Sequence, residues 1–327
     1  MCIRDSLKLI FDFIETFKFK SSILEAIIKG IVLLLITLTT FFFQYTFPTL
    51  ILLCILSIYI NANNKKFNKK YAFLLFFSTI SPLMISLSEY TMTIYQVNNI
   101  VNQQEKVKLV AEQIYMHTLP PGCFPIIGEL FRANDWLKYY FIGVGACEEM
   151  TFIEKHILEK AGLQCRIVNF PGEDHVFIEV LINNTWMVSD PGYKDFHLTT
   201  RKERAKARLK EFGAISYVYT VDDGGFIELT DKYVPTDTII IKVLKNNEPI
   251  ANAQVTLKHQ FKNHEQSLPT LYTNTQGEVI IKLGALNYNQ KAQPAENYYW
   301  IYVDGRNTGI KVTSNGIGET HYIKIDL

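Results

Sequence analysis

"HVFIEVLINNTWMVSDP", residues 175–191, is the stretch on which the fold turns. Its two halves are rich in β-branched and aromatic residues, and a pair of asparagines separates them. Two such runs joined by a two-residue loop that tolerates positive φ predict a tight β-hairpin. His175 opens the first strand and Asp190 closes the second, at about the same distance from the Asn183–Asn184 turn. An imidazole and a carboxylate therefore meet at one end of the hairpin.

Working outward, "LQCRIVNF", 163–170, alternates like a further strand, and "PGED", 171–174, turns the chain into the hairpin. Before it, "CEEMTFIEKHILEKAG", 147–162, has helical spacing, with Glu148 and Glu149 in the first turn and Gly162 as the C-terminal stop. Cys147 opens that helix. Unpaired backbone donors and the positive end of the dipole predict that the helix start favours its thiolate. The order helix, strand, strand, strand can bring the helix start to the sheet end that carries His175 and Asp190. That is a nucleophile, base and orienting carboxylate.

These blocks resemble the transglutaminase-like superfamily, whose core is papain-like. The pattern is carried by "GACEEMTF", "AGLQCRIV", "DHVFIEV" and "TWMVSDPGY", in that order, with 28 residues from Cys147 to His175 and 15 from His175 to Asp190. The resemblance covers about residues 100–195. It implies Cys147 as nucleophile, His175 as general base and acid, and Asp190 as the orienting carboxylate. It also implies an oxyanion-hole side chain upstream of the cysteine. Trp136, Tyr139 and Tyr140 are nearby aromatics, and no spacing singles one out.

Other reactive residues have plainer readings. His156 lies too far along the Cys147 helix to serve as base, and His197 is a spare candidate near Asp190. Cys165 reads as a buried strand residue that can pair with Cys123 outside the cytoplasm, and Cys54 as packing in a span. No histidine or cysteine spacing predicts a zinc site, no calcium loop is present, and no cofactor is expected. "TTRKERAKARLKEFG", 199–213, predicts a basic helix whose plain reading is a solvated face, with anionic lipid or cell-wall polymer as the other reading. Upstream, residues 98–118 predict a helix with Ile100, Val107, Val110, Ala111 and Ile114 on its apolar face.

The chain has 327 residues and a formal net charge of +1, which gives no general argument for nucleic acid. Apolar residues concentrate near the N-terminus. "ILEAIIKGIVLLLITLTTFFF", 23–43, is long enough to span a bilayer, for which about 20 residues are needed. Residues 45–60 and 71–90 are also apolar, and Lys65, Lys66, Lys69 and Lys70 separate them. Lysines on both sides of 23–60 favour a helical hairpin with both flanks cytoplasmic over one kinked helix with 96–327 inside. A third span then puts the remainder on the far side of the membrane. The first six residues, "MCIRDS", read as a back-translated sequencing-adapter end rather than natural protein.

From about residue 233, short strands alternate with turn residues and predict a β-sandwich. Its "NNEPIANAQVTL", "YTNTQGEVIIKL" and "YYWIYVDG" resemble carboxypeptidase-regulatory-like, transthyretin-like domains, which implies a spacer or interaction module. The expected architecture is thus an α-helical membrane region over 1–95, an α+β papain-like core over 96–232 and an all-β sandwich over 233–327. The expected activity is acyl transfer from a peptide or protein substrate, as a peptidase or amidase at a bacterial inner membrane. A cell-envelope partner can meet the sandwich. A non-catalytic scaffold and a protein-crosslinking acyltransferase are the alternatives. A reporter fused after residue 100 tests the topology: phosphatase activity in the periplasm is expected, and fluorescence of a cytoplasmic reporter contradicts it.

Overall fold

The computed structural model describes residues 84, 87–118, 139–140, 143, 145–192, 196–222 and 225–327. Residues 88–327 form one compact unit. Among the described residues no helix is long and apolar enough to cross a membrane. The three apolar stretches read as spans lie outside the described residues, apart from the end of the third.

The architecture is α+β. Helix α1 runs Gln103–His117 and α2 Cys147–Lys160. Strands β1 (Cys165–Phe170), β2 (His175–Ile182) and β3 (Thr185–Ser189) follow. After α3 (Arg201–Phe212), strands β4 (Tyr219–Asp222) and β5 (Gly225–Glu228) complete an antiparallel sheet in the order β3-β2-β1-β4-β5. The predicted hairpin is present: Asn183 and Asn184 both have positive φ, 48° and 61°, which is the backbone a two-residue turn between twisted strands requires.

The expected 98–118 helix is broken at its start. Residues 88–99 are helical, the chain opens at 100–102, and α1 begins anew. Asn102 causes the break. Its backbone is extended, and its side-chain oxygen accepts the N–H groups of Gln104 and Glu105 as an N-cap. Val107, Val110, Ala111 and Ile114 do form the buried stripe.

The two faces of the sheet pack differently. Ile178, Val180 and Ile182 join Ile153, Ile157 and Leu158 of α2 and Val107, Val110 and Ile114 of α1. Phe177 and Val188 point the other way, against Phe170, Ala205 of α3, Leu229 and Tyr233. On that second face Glu179 is fully buried. Arg166 sits opposite it in the β1–β2 register and donates to Oε2 from Nε at 2.8 Å and Nη2 at 2.5 Å. Arg201 Nε donates to Oε1 at 2.6 Å, and Tyr233 Oη to the same oxygen at 2.5 Å. A buried charge left without partners costs several kcal/mol. The glutamate of the "HVFIEV" block and the arginine of the "LQCRIV" block are therefore tied by one cross-strand ion pair. Arg201 ties α3 to the same point.

The C-terminal part holds two sheets around one core. One has the order β10-β8-β12-β13, from Leu271–Tyr272, Gln254–Phe261, Tyr299–Val303 and Arg306–Val312. The other has the order β11-β6-β14, from Glu278–Leu283, Asp237–Lys245 and Thr320–Asp326. Two short strands, β7 (Glu248–Pro249) and β9 (His264–Ser267), pair with β6 and β8. Ile239, Ile241, Val279, Ile281 and Ile325 from one sheet meet Val255, Leu257, Ile301 and Val303 from the other.

Candidate functional site

The β2–β3 register pairs Ile178 with Ser189, so the next step outward sets Phe177 level with Asp190. Side chains alternate along a strand, and His175 projects from the same face as Phe177. Imidazole and carboxylate are thus diagonal neighbours at the open end of the hairpin. His175 Nε2 lies 2.6 Å from Asp190 Oδ2. The other oxygen, Oδ1, accepts the Gly192 N–H at 3.1 Å, an Asx-type turn that locks the carboxylate as the chain leaves the strand through Pro191.

The same carboxylate has a third partner that the sequence reading placed elsewhere. Arg204 Nη2 donates to Asp190 Oδ2 and stands 3.0 Å from His175 Nε2. Two donors thus converge on one buried oxygen. The basic helix is not simply a solvated face: Arg204 and Arg208 are 5% and 4% exposed and point inward. Lys202, Lys206 and Lys210 take the exposed side. Thr200 caps the helix, exchanging hydrogen bonds with Glu203 in a capping box, and Gly213 ends it at φ 86°. The four-residue spacing of Arg204 and Arg208 did not mark them out in the sequence, because Lys202, Lys206 and Lys210 repeat at the same interval.

Charge and burial set the protonation states. Burial alone would raise the Asp190 carboxyl, but His175 and Arg204 outweigh it and hold it below its ordinary value. Burial pushes the His175 imidazole down. Asp190 opposes that shift, while Arg208 and Arg204 add to it. The pair is therefore carboxylate and neutral imidazole.

Cys147 is half-buried at the start of α2 and forms no disulfide. Burial raises its thiol above the ordinary value, and the Asp190 and Asp174 charges add to this. The backbone N–H groups of Val176 and Glu148 pull it back only in part. This corrects the expectation that the helix start favours thiolate: desolvation and two carboxylates outweigh the free donors. The contact with Val176 places the sulfur beside the first residues of β2. One turn along α2, Thr151 Oγ1 donates to the Val176 carbonyl at 3.2 Å and pins the helix there. The structure thus brings His175 and Asp190 into direct contact and sets Cys147 against the residue that follows His175.

The acidic neighbours of Cys147 divide. Glu149 is buried and its Oε2 accepts the Ala146 N–H at 2.8 Å, which serves the helix start, while Glu148 is exposed. Two of the three upstream aromatics are engaged elsewhere. Tyr139 donates to the Ile114 carbonyl at 3.0 Å, and the Tyr140 hydroxyl bonds Thr93. Trp136 lies outside the described residues. His156 bonds the Tyr90 hydroxyl at 3.0 Å, and His197 is exposed. Cys165 is a buried thiol without a disulfide, and Cys123 lies outside the described residues. Among the described residues no three His, Cys, Asp or Glu side chains gather to hold a metal ion.

No protein-family model matches the chain, and no curated protein matches it.

Under the Asp190 end of the site lies a second carboxyl. Glu154, on α2, is completely buried and accepts the Ser189 hydroxyl. Burial raises it from the ordinary 4.5 to about 8, with Ser189 opposing and Asp190 adding. The folded protein therefore keeps this proton to about pH 8, whereas the unfolded chain releases it near 4.5. Proton release favours the unfolded chain, so this carboxyl's contribution is complete below about 4.5 and is lost as pH rises through about 8. Glutamine cannot ionise. The stability of Glu154→Gln relative to the parent should grow across pH 4.5 to 8 by on the order of a few kcal/mol. Denaturant unfolding at several pH values measures it, and a difference that stays constant with pH contradicts the assignment.

Proposed function

We propose that the chain is a membrane-anchored thiol enzyme with a papain-like, transglutaminase-like core that cleaves amide bonds in peptides or proteins. The observation that carries this reading is the buried His175–Asp190 pair, at 2.6 Å, at the strand end where Val176 holds the Cys147 sulfur. With Nε2 facing Asp190, Nδ1 is the nitrogen proposed to take the thiol proton.

Thiol and imidazole are both neutral at rest, so the chemistry is general-base rather than a standing ion pair. As Cys147 Sγ bonds to the carbonyl carbon, its proton passes to His175 Nδ1. Asp190 stabilises the imidazolium that results. The tetrahedral centre then collapses, the carbon–nitrogen bond breaks, and the leaving amine takes the proton from His175. A thioester remains on Cys147. Water attacks it, giving one proton to His175, and the carbon–sulfur bond breaks to release the acid. The proton returns to the sulfur. An amine in place of water forms a new amide, so the crosslinking alternative differs only in the acceptor.

The lysine pattern of the first 95 residues supports an inner-membrane anchor with this unit facing the periplasm. A peptide or protein of the cell envelope is then the substrate class, with the β-sandwich as a surface for an envelope partner. The scaffold reading has one observation in its favour, the upward shift of the Cys147 thiol.

Proteomics of cell-envelope protein incubated with the full chain in detergent separates these readings. New N-termini that vanish with Cys147→Ala are expected. New isopeptide links in place of N-termini identify a transferase. Identical peptide patterns for parent and Cys147→Ala contradict an enzyme of either kind.

A further inference from the structure

The turn that delivers His175 to its strand is held from the C-terminal module. A 3-10 turn, Pro171–Glu173, follows β1, and Asp174 then adopts a left-handed conformation, φ 47°. His175 is the next residue. The Asp174 N–H closes the turn on the Pro171 carbonyl at 3.4 Å, and the side-chain restraints on it come from elsewhere in the chain.

The Gly172 carbonyl lies 3.0 Å from His259 Nε2 on β8. Glu173 is buried, and its Oε1 accepts three bonds: from the Ser216 N–H at 3.0 Å, from Ser216 Oγ at 3.1 Å and from Tyr288 Oη at 2.5 Å. Ser216 Oγ also bonds Tyr299 Oη at 2.6 Å. The rings pack behind these contacts, with His259 and Tyr299 centroids 4.5 Å apart and their planes tilted by 39°. There is no slack in the cradle. A Cβ on Gly172 would come within 1.9 Å of Ser216 Oγ and 2.7 Å of Tyr299 Oη. Glycine is needed here for close approach, not for a special φ.

The same turn sets the register of α3. Arg208 Nη2 donates to the Glu173 carbonyl at 3.3 Å. One helical turn earlier on the same face, Arg204 grips Asp190 beside His175. Moving the turn therefore disturbs His175 through the backbone and Asp190 through α3.

We infer that the C-terminal module is part of the active centre, with Tyr288, Tyr299 and His259 acting as positioning residues that hold the Gly172–Glu173 turn and through it His175. This rests on the thiol-enzyme reading above. It goes beyond that reading in giving the module a role other than spacer or partner surface.

The test is the pH profile of Cys147 alkylation by iodoacetamide in the full chain, read by mass spectrometry of the Cys147 peptide. The part that His175→Ala abolishes is the histidine-dependent part. Tyr288→Phe removes one hydroxyl and nothing else. It is expected to lower the histidine-dependent part at least fivefold and to leave the high-pH limb, which reports the bare thiolate, unchanged. Tyr299→Phe is the second variant should the first not fold, and Gly172→Ala should act in the same direction. Ser314→Ala is the control. It removes a buried hydroxyl of the same module that bonds Asp237 and the Leu283 carbonyl instead. It is expected to keep the parent profile.

A Tyr288→Phe or Tyr299→Phe profile equal to the parent's overturns the clamp alone. So does a loss in Ser314→Ala as large as theirs, since that reports general loosening. A parent with no histidine-dependent part overturns the thiol-enzyme reading itself, and the clamp with it.

Discussion

Asp190 is a carboxylate with 6% of its side chain exposed, and the region around the candidate site is organised by keeping it charged. Taking an ionised carboxyl out of water costs several kcal/mol unless partners replace the water. Here the partners are His175, Arg204 and the Gly192 N–H. Each comes from a different structural step: the start of β2, the middle of α3, and the turn that leaves β3. The carboxylate thus requires the chain to close a hairpin, double back and lay a helix over its end. Arg204 also brings a positive charge to the imidazole. That charge favours neutral His175, the form that can accept a proton.

The same device recurs a few residues along the second face of the sheet. Glu179 gathers Arg166, Arg201 and Tyr233 as Asp190 gathers His175 and Arg204. Arg201 and Arg204 lie on one helix, so two buried carboxylates fix α3 at two points and Glu173, through Arg208, fixes it at a third. Buried ion pairs of this kind contribute little net stability compared with apolar packing. Their effect is specificity. Any other placement of α3 would strand a buried charge, and the side chains around His175 inherit that precision.

Much of this could be read from local pattern. The Asn183–Asn184 turn, the alternation of β1 to β3 and the helical spacing of 147–160 are signals within a few residues, and the structure follows them. The juxtaposition of His175 and Asp190 follows from register once the turn is known. Four features escaped, each for its own reason. Arg204 and Arg208 sit in a helix so rich in charge that periodicity does not separate an inward arginine from an outward lysine. Only the buried acceptors reveal them. The Gly172 cradle joins residues 43 to 115 apart in sequence, from Glu173 to Ser216 up to Glu173 to Tyr288, and no local pattern encodes such a contact. The break at Asn102 was local but subordinate: the apolar period ran through it, and the capping preference of asparagine decided the boundary. The thiol was misjudged because the helix-start argument counts donors and omits the burial and the two carboxylates that the fold supplies.

The central claim is that His175 rests neutral, with Nε2–H given to Asp190 and Nδ1 as the proposed acceptor of the thiol proton. The most direct measurement is the tautomeric state of His175 by nitrogen-15 NMR of histidine-labelled protein near pH 8, assigned by comparison with His175→Ala. A neutral imidazole protonated on Nε2, with the strongly shifted proton of a bond to a buried carboxylate, is the predicted result. An Nδ1-protonated ring, or an imidazolium at that pH, would contradict it.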